Sequence, residues 1–184
     1  MSSDTDPWSE RFPELFRERH VAYADCTIRY RTGPPDPDLV SRLHLVAITP
    51  ENQVVVCRSE QGWRFLPGGT REPGESLEEL GRRELREEAG AALTGELHCF
   101  SAHIADSNRR APYRPHLPHP RTHWAYAVAE VRLTGDPTNP SDGETVVEVL
   151  TLTPADAANY LAGENPIHAD VLRHAVALGL VSSS

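Results

Sequence analysis

The chain has 184 residues, 39% of them hydrophobic, which suits one domain with a real core. Its formal charge of −9 argues against general affinity for nucleic acid or an anionic membrane and leaves anionic ligands to local basic patches. Cys26, Cys57 and Cys99 are odd in number, scattered and in no metal-ligand spacing, so they read as buried free thiols. The opening "MSSDTDPWSERF" lacks the basic and apolar parts of a leader, and no later apolar run approaches the roughly 18 residues of a membrane span, so a soluble cytoplasmic protein is expected.

Pro7 to His20 has helical composition, with Phe12, Leu15, Phe16 and His20 near one face and Asp6 or Ser9 as the cap. "VAYADCTIRYR" alternates as a strand, and the proline-rich "TGPPDPD" after it is a loop. "RLHLVAIT" and "QVVVCRS", separated by "PEN", read as a β-hairpin, and "WRFLP" as a short strand ending at Pro67. A helix is expected from Ser76, with "ELHCFSAHI" and "HWAYAVAEVRL" as later strands and the Pro-, Arg- and His-rich connection Asp106 to His123 between them. "TVVEVLTLT" is the last strand, and Pro154 to Leu161 and Pro166 to Leu180 are helices with proline in the first turn. This order implies an α/β protein with a mixed sheet between helices.

The helix after Ser76 breaks its own pattern. Ser76 and Glu79 make a capping box and Gly90 is the stop. At about 100° per residue, Leu77, Leu80, Gly81, Leu85 and Ala89 share the core-facing arc, yet Glu84 and Glu88 fall inside it and Glu87 lies at its edge. Desolvating an unpaired carboxylate costs several kcal/mol or more, so three together need a compensator. A hard divalent cation with oxygen ligands is one, and the i, i+3 and i+4 spacing lets all three approach one ion. A solvated helix pairing its glutamates with Arg82, Arg83 and Arg86 is the other.

The residues before the helix decide between these. The stretch resembles the Nudix box, G-x5-E-x7-R-E-U-x-E-E-x-G-U with U apolar, through Gly69, Glu75, Arg83, Glu84, Leu85, Glu87, Glu88 and Gly90, with Ala91 in the last apolar place. The resemblance implies a Nudix-type α/β/α sandwich over residues 41–184, with residues 1–40 as an extension packed on the core or on a partner in a homodimer. It implies hydrolysis of a nucleoside diphosphate linked to another group, with Mg²⁺ or Mn²⁺ on Glu84, Glu87, Glu88 and the carbonyl of Gly69, and with Glu75 and Arg83 as a bracing ion pair. Glu84 and Glu87 are then candidates for the general base. Glu148 of the last strand is expected as a further acid, with Glu144 as the nearby alternative.

The Asp106 to His123 connection carries Arg109, Arg110, Arg114 and Arg121, whose guanidinium forks suit phosphate oxygens. His116, His119 and His123 lack the partners of a zinc site. Trp63 and Phe65, just before the box, are candidates to stack a base, whereas Trp124 and Tyr126 are expected in the core. Secondary signatures for ADP-ribose, dinucleoside polyphosphate and coenzyme A substrates are not met. The partner expected is therefore a small-molecule nucleoside diphosphate derivative whose second group is open, and a non-catalytic nucleotide sensor is the alternative.

Overall fold

A computed structural model describes residues 6–141 and 143–183. The first five residues of the expected N-terminal extension lie outside that range. Among the described residues ten strands and four α-helices are numbered in chain order: α1 Pro13–Phe16, β1 Arg19–Val21, β2 Cys26–Thr32, β3 Val40–Ile48, β4 Val54–Ser59, β5 Arg64–Phe65, β6 Gly68–Thr70, α2 Leu77–Glu84, β7 Ala91–Leu93, β8 His98–Ser107, β9 Arg121–Leu133, β10 Val146–Leu152, α3 Pro154–Ala162 and α4 Pro166–Ala177. A π-turn, Leu85–Ala89, continues α2.

The sheet runs β1-β2-β8-β9-β3-β4-β10, with β5 against β4, β6 against β3 and β7 against β9. It is mixed because β3 and β9 are parallel while their other neighbours are antiparallel. Alternation along β3 sorts its side chains between two cores, Leu43, Leu45 and Ala47 facing α2 with Leu80 and Leu85, and Val46 facing α4 with Leu172 and Ala175. With α2 and the π-turn on one face and α1, α3 and α4 on the other, the architecture is the expected α/β/α sandwich.

Several expectations change at the N-terminus. The helix expected over Pro7 to His20 shrinks to one turn, because Pro13 disfavours helical geometry at Phe12 (φ −126°, ψ 59°) and lacks a backbone donor. Turns precede it, and His20 falls in β1. The strand expected over Val21 to Arg31 is a hairpin instead, β1 pairing with β2 around Asp25, whose φ is +46°. Asp6 accepts the backbone N–H of Trp8 and of Thr32, and Trp8, Phe12, Phe16 and Tyr30 gather around His174. This segment therefore packs on the chain's own core.

The expected hairpin of β3 and β4 pairs only at its base, Ile48 with Val54, because β3 turns its outer half to β6. The Asp106 to His123 connection is shorter than expected, since β8 runs to Ser107 and β9 begins at Arg121.

A polar stripe runs through the core beneath α4. Tyr30 Oη donates to Ser101 Oγ at 2.6 Å and lies 2.9 Å from His174 Nδ1, while His103 Nδ1 and Tyr126 Oη are 3.0 Å apart. His44 and His168 have ring centroids 4.7 Å apart, and His168 Nδ1 accepts the N–H of Leu66. Burial, with nearby Arg19 and His168, pulls His103 down to about 3, burial alone pulls His168 down to about 4, and burial with His168 and Arg42 holds His44 well below the usual range.

These rings stay neutral in the folded protein while an unfolded chain takes up protons from about pH 6.5 downward. Their contribution to stability is therefore complete above about pH 6.5 and is lost as the pH falls towards the folded values. We expect His103→Phe to reduce the slope of unfolding free energy against pH by about 1.4 kcal/mol per unit below about pH 6. Urea unfolding between pH 5 and 7 measures it, and an unchanged slope would show that His103 carries no such linkage.

Candidate active site

The site begins at the backbone of β6. Gly68 has φ +155°, and a Cβ there would lie 2.1 Å from the carbonyl oxygen of Leu43, so only glycine lets β6 approach β3 this closely. His168 of α4 holds the preceding Leu66 from the other face. A Cβ on Gly69 would come within 2.3 Å of Glu84 Oε1, so the bare glycine makes room for that carboxylate.

Helix α2 starts as its sequence predicts. Ser76 Oγ accepts the N–H of Glu79, and the Glu79 carboxylate accepts the N–H of Ser76. After Glu84 the backbone widens into the π-turn, which a regular 100° wheel does not anticipate. Its free carbonyls are met from outside, where the N–H groups of Thr138 and Asn139 reach Arg86 and Glu87 and those of Thr134 and Gly135 reach Gly90. Gly90 ends the turn at φ +58°, and a Cβ there would lie 2.1 Å from the carbonyl oxygen of Gly135.

Arg83 ties the parts together. Its guanidinium donates to both carboxylate oxygens of Glu75 at 2.7 and 3.1 Å, to the carbonyl of Thr70 at 3.0 Å, and to Glu84 and Glu87 at 2.9 and 3.1 Å. The expected Glu75 and Arg83 ion pair is thus present, and it spans the box loop, β6 and α2. Burial raises the Glu75 carboxyl, but the hydrogen bonds from Arg83 and from the N–H of Glu72 leave it below its ordinary value.

Glu84 is only 7% exposed, and burial with the charge of Glu87 raises its carboxyl to about 7 despite Arg83. Glu88 is deeper. Its Oε2 accepts the N–H of Gly68 at 2.8 Å, its carbonyl meets the thiol of Cys57, and burial with the charge of Glu84 lifts its carboxyl well above the usual range. The structure therefore brings Gly69, Glu84, Glu87 and Glu88 to one corner, where charge is poorly solvated. As the side chains stand, Glu84 and Glu87 face Arg83 and Glu88 faces Gly68. Among the described residues no three carboxylate, histidine or cysteine side chains converge as a finished metal cage. The donor set nevertheless suits a hard cation, being all oxygen and short of neutralising charge.

Glu148, expected as a further acid, is not brought to this corner. Val149 and its register partner Cys57 face α2, so the paired Glu148 and Arg58 point to the other side of the sheet. There Glu148 accepts from Arg58 Nε at 2.9 Å and from Tyr160 Oη at 3.3 Å, and the Arg58 hydrogen bond lowers its carboxyl. Glu144, the alternative, is exposed, and its charge adds to burial and to that of Glu84 in raising the Glu88 carboxyl.

Among the expected substrate-binding residues, Trp63 is 55% exposed, whereas Phe65 is 8% exposed and packed in the core on the α2 side, leaving no open face for a base. Arg121 lies in β9 and is bound to Asp106 at 2.6 and 3.0 Å, so its fork is already filled. Arg109 donates to the carbonyl of Tyr23, Arg114 lies 5.8 Å from the ring of Tyr113, and Arg110 is exposed. Sequence reasoning missed Arg42, whose guanidinium lies 4.7 Å from the ring of Trp124 and donates to Tyr23 Oη. The only available signal was an arginine at the mouth of an apolar strand.

Comparison with known proteins bears on this arrangement. The family model described as the NUDIX domain matches residues 40–175. The chain belongs to the Nudix family. Among solved structures, a mutant form of the Bacillus subtilis pyrophosphohydrolase BsRppH is similar at 16% identity and a TM-score of 0.50, over 74% of this chain and 77% of that one. A NUDIX hydrolase from Nitrosomonas europaea is similar at 15% identity and a TM-score of 0.50, over 73% and 89% of the two chains. At these identities the likeness concerns the fold. No curated protein matches the chain in sequence.

In this Nudix domain the Arg83 clamp is half-hidden from water, and Glu75 is the loop carboxylate that takes two of its charged hydrogen bonds. Glu75→Gln is therefore expected to cost about 2–3 kcal/mol of stability. Urea unfolding checks it, and a variant as stable as the parent would mean that Glu75 is no brace.

Proposed function

We propose that the protein hydrolyses a diphosphate linkage in a nucleoside diphosphate joined to a further group, such as a nucleoside triphosphate or a nucleotide sugar. The supporting observation is the gathering of Glu84, Glu87 and Glu88 in a desolvated corner against the bare backbone of Gly68 and Gly69. Membership of the Nudix family agrees with it, as does the pyrophosphohydrolase activity for which the B. subtilis protein is named. Mg²⁺ or Mn²⁺ fits the donor set, with Glu84, Glu87, Glu88 and the Gly69 carbonyl to hold it. Such an ion neutralises phosphate oxygens and makes a bound water more acidic.

The chain's own residues supply the rest. Arg83 and Glu75 fix the position of the box loop relative to α2. The N–H of Gly68 orients the Glu88 carboxylate, and the missing Cβ of Gly69 keeps Glu84 where it stands. In the reaction a water oxygen bonds to phosphorus as the bridging P–O bond breaks, and the water's proton passes to a carboxylate. Glu84 and Glu87 are the candidates within α2 and its π-turn, with Glu144 as the alternative outside them. Among the described residues no helix is long and apolar enough to cross a membrane.

A panel of nucleoside triphosphates, nucleotide sugars, ADP-ribose and dinucleoside polyphosphates with Mg²⁺ or Mn²⁺, assayed for phosphate released from the products by coupled pyrophosphatase or phosphatase, tests the reading. One class is expected to turn over, and Glu88→Gln to reduce that turnover by at least about 100-fold, since the charge at phosphorus is worth several kcal/mol. Absence of turnover across the panel with nucleotide binding intact would favour a sensor instead. Gly69→Ala is a second probe. The new Cβ displaces the far end of the Glu84 side chain, so activity should fall while the melting temperature stays within a few degrees of the parent's. Full activity in this variant would remove Gly69 and Glu84 from the site.

A further inference from the structure

A cavity of about 230 Å³ lies under the connection between β8 and β9, on the sheet face opposite α2. Its floor is Trp124 with the Arg42 guanidinium stacked 4.7 Å from the ring centroid, and Tyr23 and Tyr113 stand on its rims, 69% and 62% exposed. Such large, solvent-facing rings at one mouth invite a flat ligand between them.

The polarity of the cavity is one-sided. Arg42 and Arg109 both line it, and each guanidinium makes a single hydrogen bond, Arg42 to Tyr23 Oη at 3.2 Å and Arg109 to the Tyr23 carbonyl at 2.8 Å. A guanidinium has five donors and no acceptor, so most of theirs stay open. Among the described residues lining the cavity none is Asp or Glu. The nearest carboxylates are engaged, Asp106 by Arg29 and Arg121 and Asp25 by the amide of Asn108. In a chain of net charge −9 this is a local concentration of donors.

The cavity also adjoins the box loop. Leu117 and Pro118 wall both this cavity and a second cleft formed by the box loop at Arg71, Gly74 and Glu75. His116 Nε2 lies 2.8 Å from the carbonyl of Arg71, which fastens the roof to that loop. Arg42 is the register partner of Thr70, whose carbonyl binds the Arg83 that holds Glu84 and Glu87.

We propose that this cavity is the subsite for the base end of the substrate, and that it selects a planar heterocycle presenting keto or anionic acceptors over one presenting amino donors. The inference rests on the nucleotide-hydrolase reading above and narrows its substrates to uridine-, thymidine- or guanosine-type nucleotides. An amino-substituted edge aimed at Arg42 or Arg109 leaves donors facing donors, so each such mismatch leaves a desolvated donor without a partner.

The test uses the full chain carrying Trp63→Phe, so that the exposed indole does not dominate the signal. Tryptophan fluorescence is titrated with UMP, GMP, AMP and CMP, with inorganic phosphate as the control. UMP and GMP are expected to quench saturably and to bind at least about tenfold more tightly than AMP and CMP. Tyr113→Ala and Arg109→Gln, both at solvent-facing positions, should weaken that binding and raise KM for the hydrolysed nucleotide more than they lower kcat. Equal affinity for all four nucleotides, quenching by phosphate alone, or variants that change neither binding nor KM would overturn the subsite. If turnover is found and lost in Glu88→Gln without base preference, the hydrolase stands and the subsite falls. If base-selective binding is lost in Tyr113→Ala but nothing is turned over, the subsite stands and the hydrolase falls.

Discussion

The guanidinium of Arg83 is the constraint on which the site depends. Left unpaired beneath the box loop it would be a costly charge, so the loop, β6 and α2 are obliged to bring it acceptors. Glu75 supplies both oxygens from the loop, Thr70 a carbonyl from β6, and Glu84 and Glu87 come from its own helix. These bonds converge only when the loop is folded back over the helix, which is also the arrangement that sets Gly69 against Glu84. An arrangement that crowds carboxylates is thus held in part by one cation within the chain, which faces Glu75, Glu84 and Glu87, while burial lifts the carboxyls of Glu84 and Glu88.

The rest of the fold serves to keep that corner in place. From one side α4 holds Leu66 through His168, and from the other the residues from Thr134 to Asn139 satisfy the carbonyls of the π-turn. Glycine is required where chains meet at closest approach, at Gly68 against β3 and at Gly90 against Gly135. The buried histidines beneath α4 add a polar stripe, in which His168 keeps its bond from the N–H of Leu66 only while its ring is neutral.

Much of this was legible in the residues because local and global signals agreed. Ser76 and Glu79 announced the start of α2, the glutamates in the apolar arc announced a site, and β-branched runs marked β3, β4 and β10. What was not legible depended on tertiary contact. Helical composition before His20 was overruled by Pro13, and the turn at Asp25 was hidden in a run that alternates like one strand. The π-turn has no periodicity of its own, because its carbonyls are satisfied by residues about fifty positions later. The side of the sheet taken by Glu148 was set by its pairing with Arg58, and the filling of Arg121 by Asp106 was set by the register of β8 with β9.

The bond between His116 and the Arg71 carbonyl makes the roof of the cavity and the loop of the carboxylate corner parts of one body. On the proposed subsite, a ligand that steadies the roof also steadies the box loop. Contacts to the part of a molecule that does not react then contribute to the rate of the part that does, and a truncated substrate loses turnover as well as affinity. Selectivity in such a design shows first in affinity and KM, and alignment adds a smaller share in turnover.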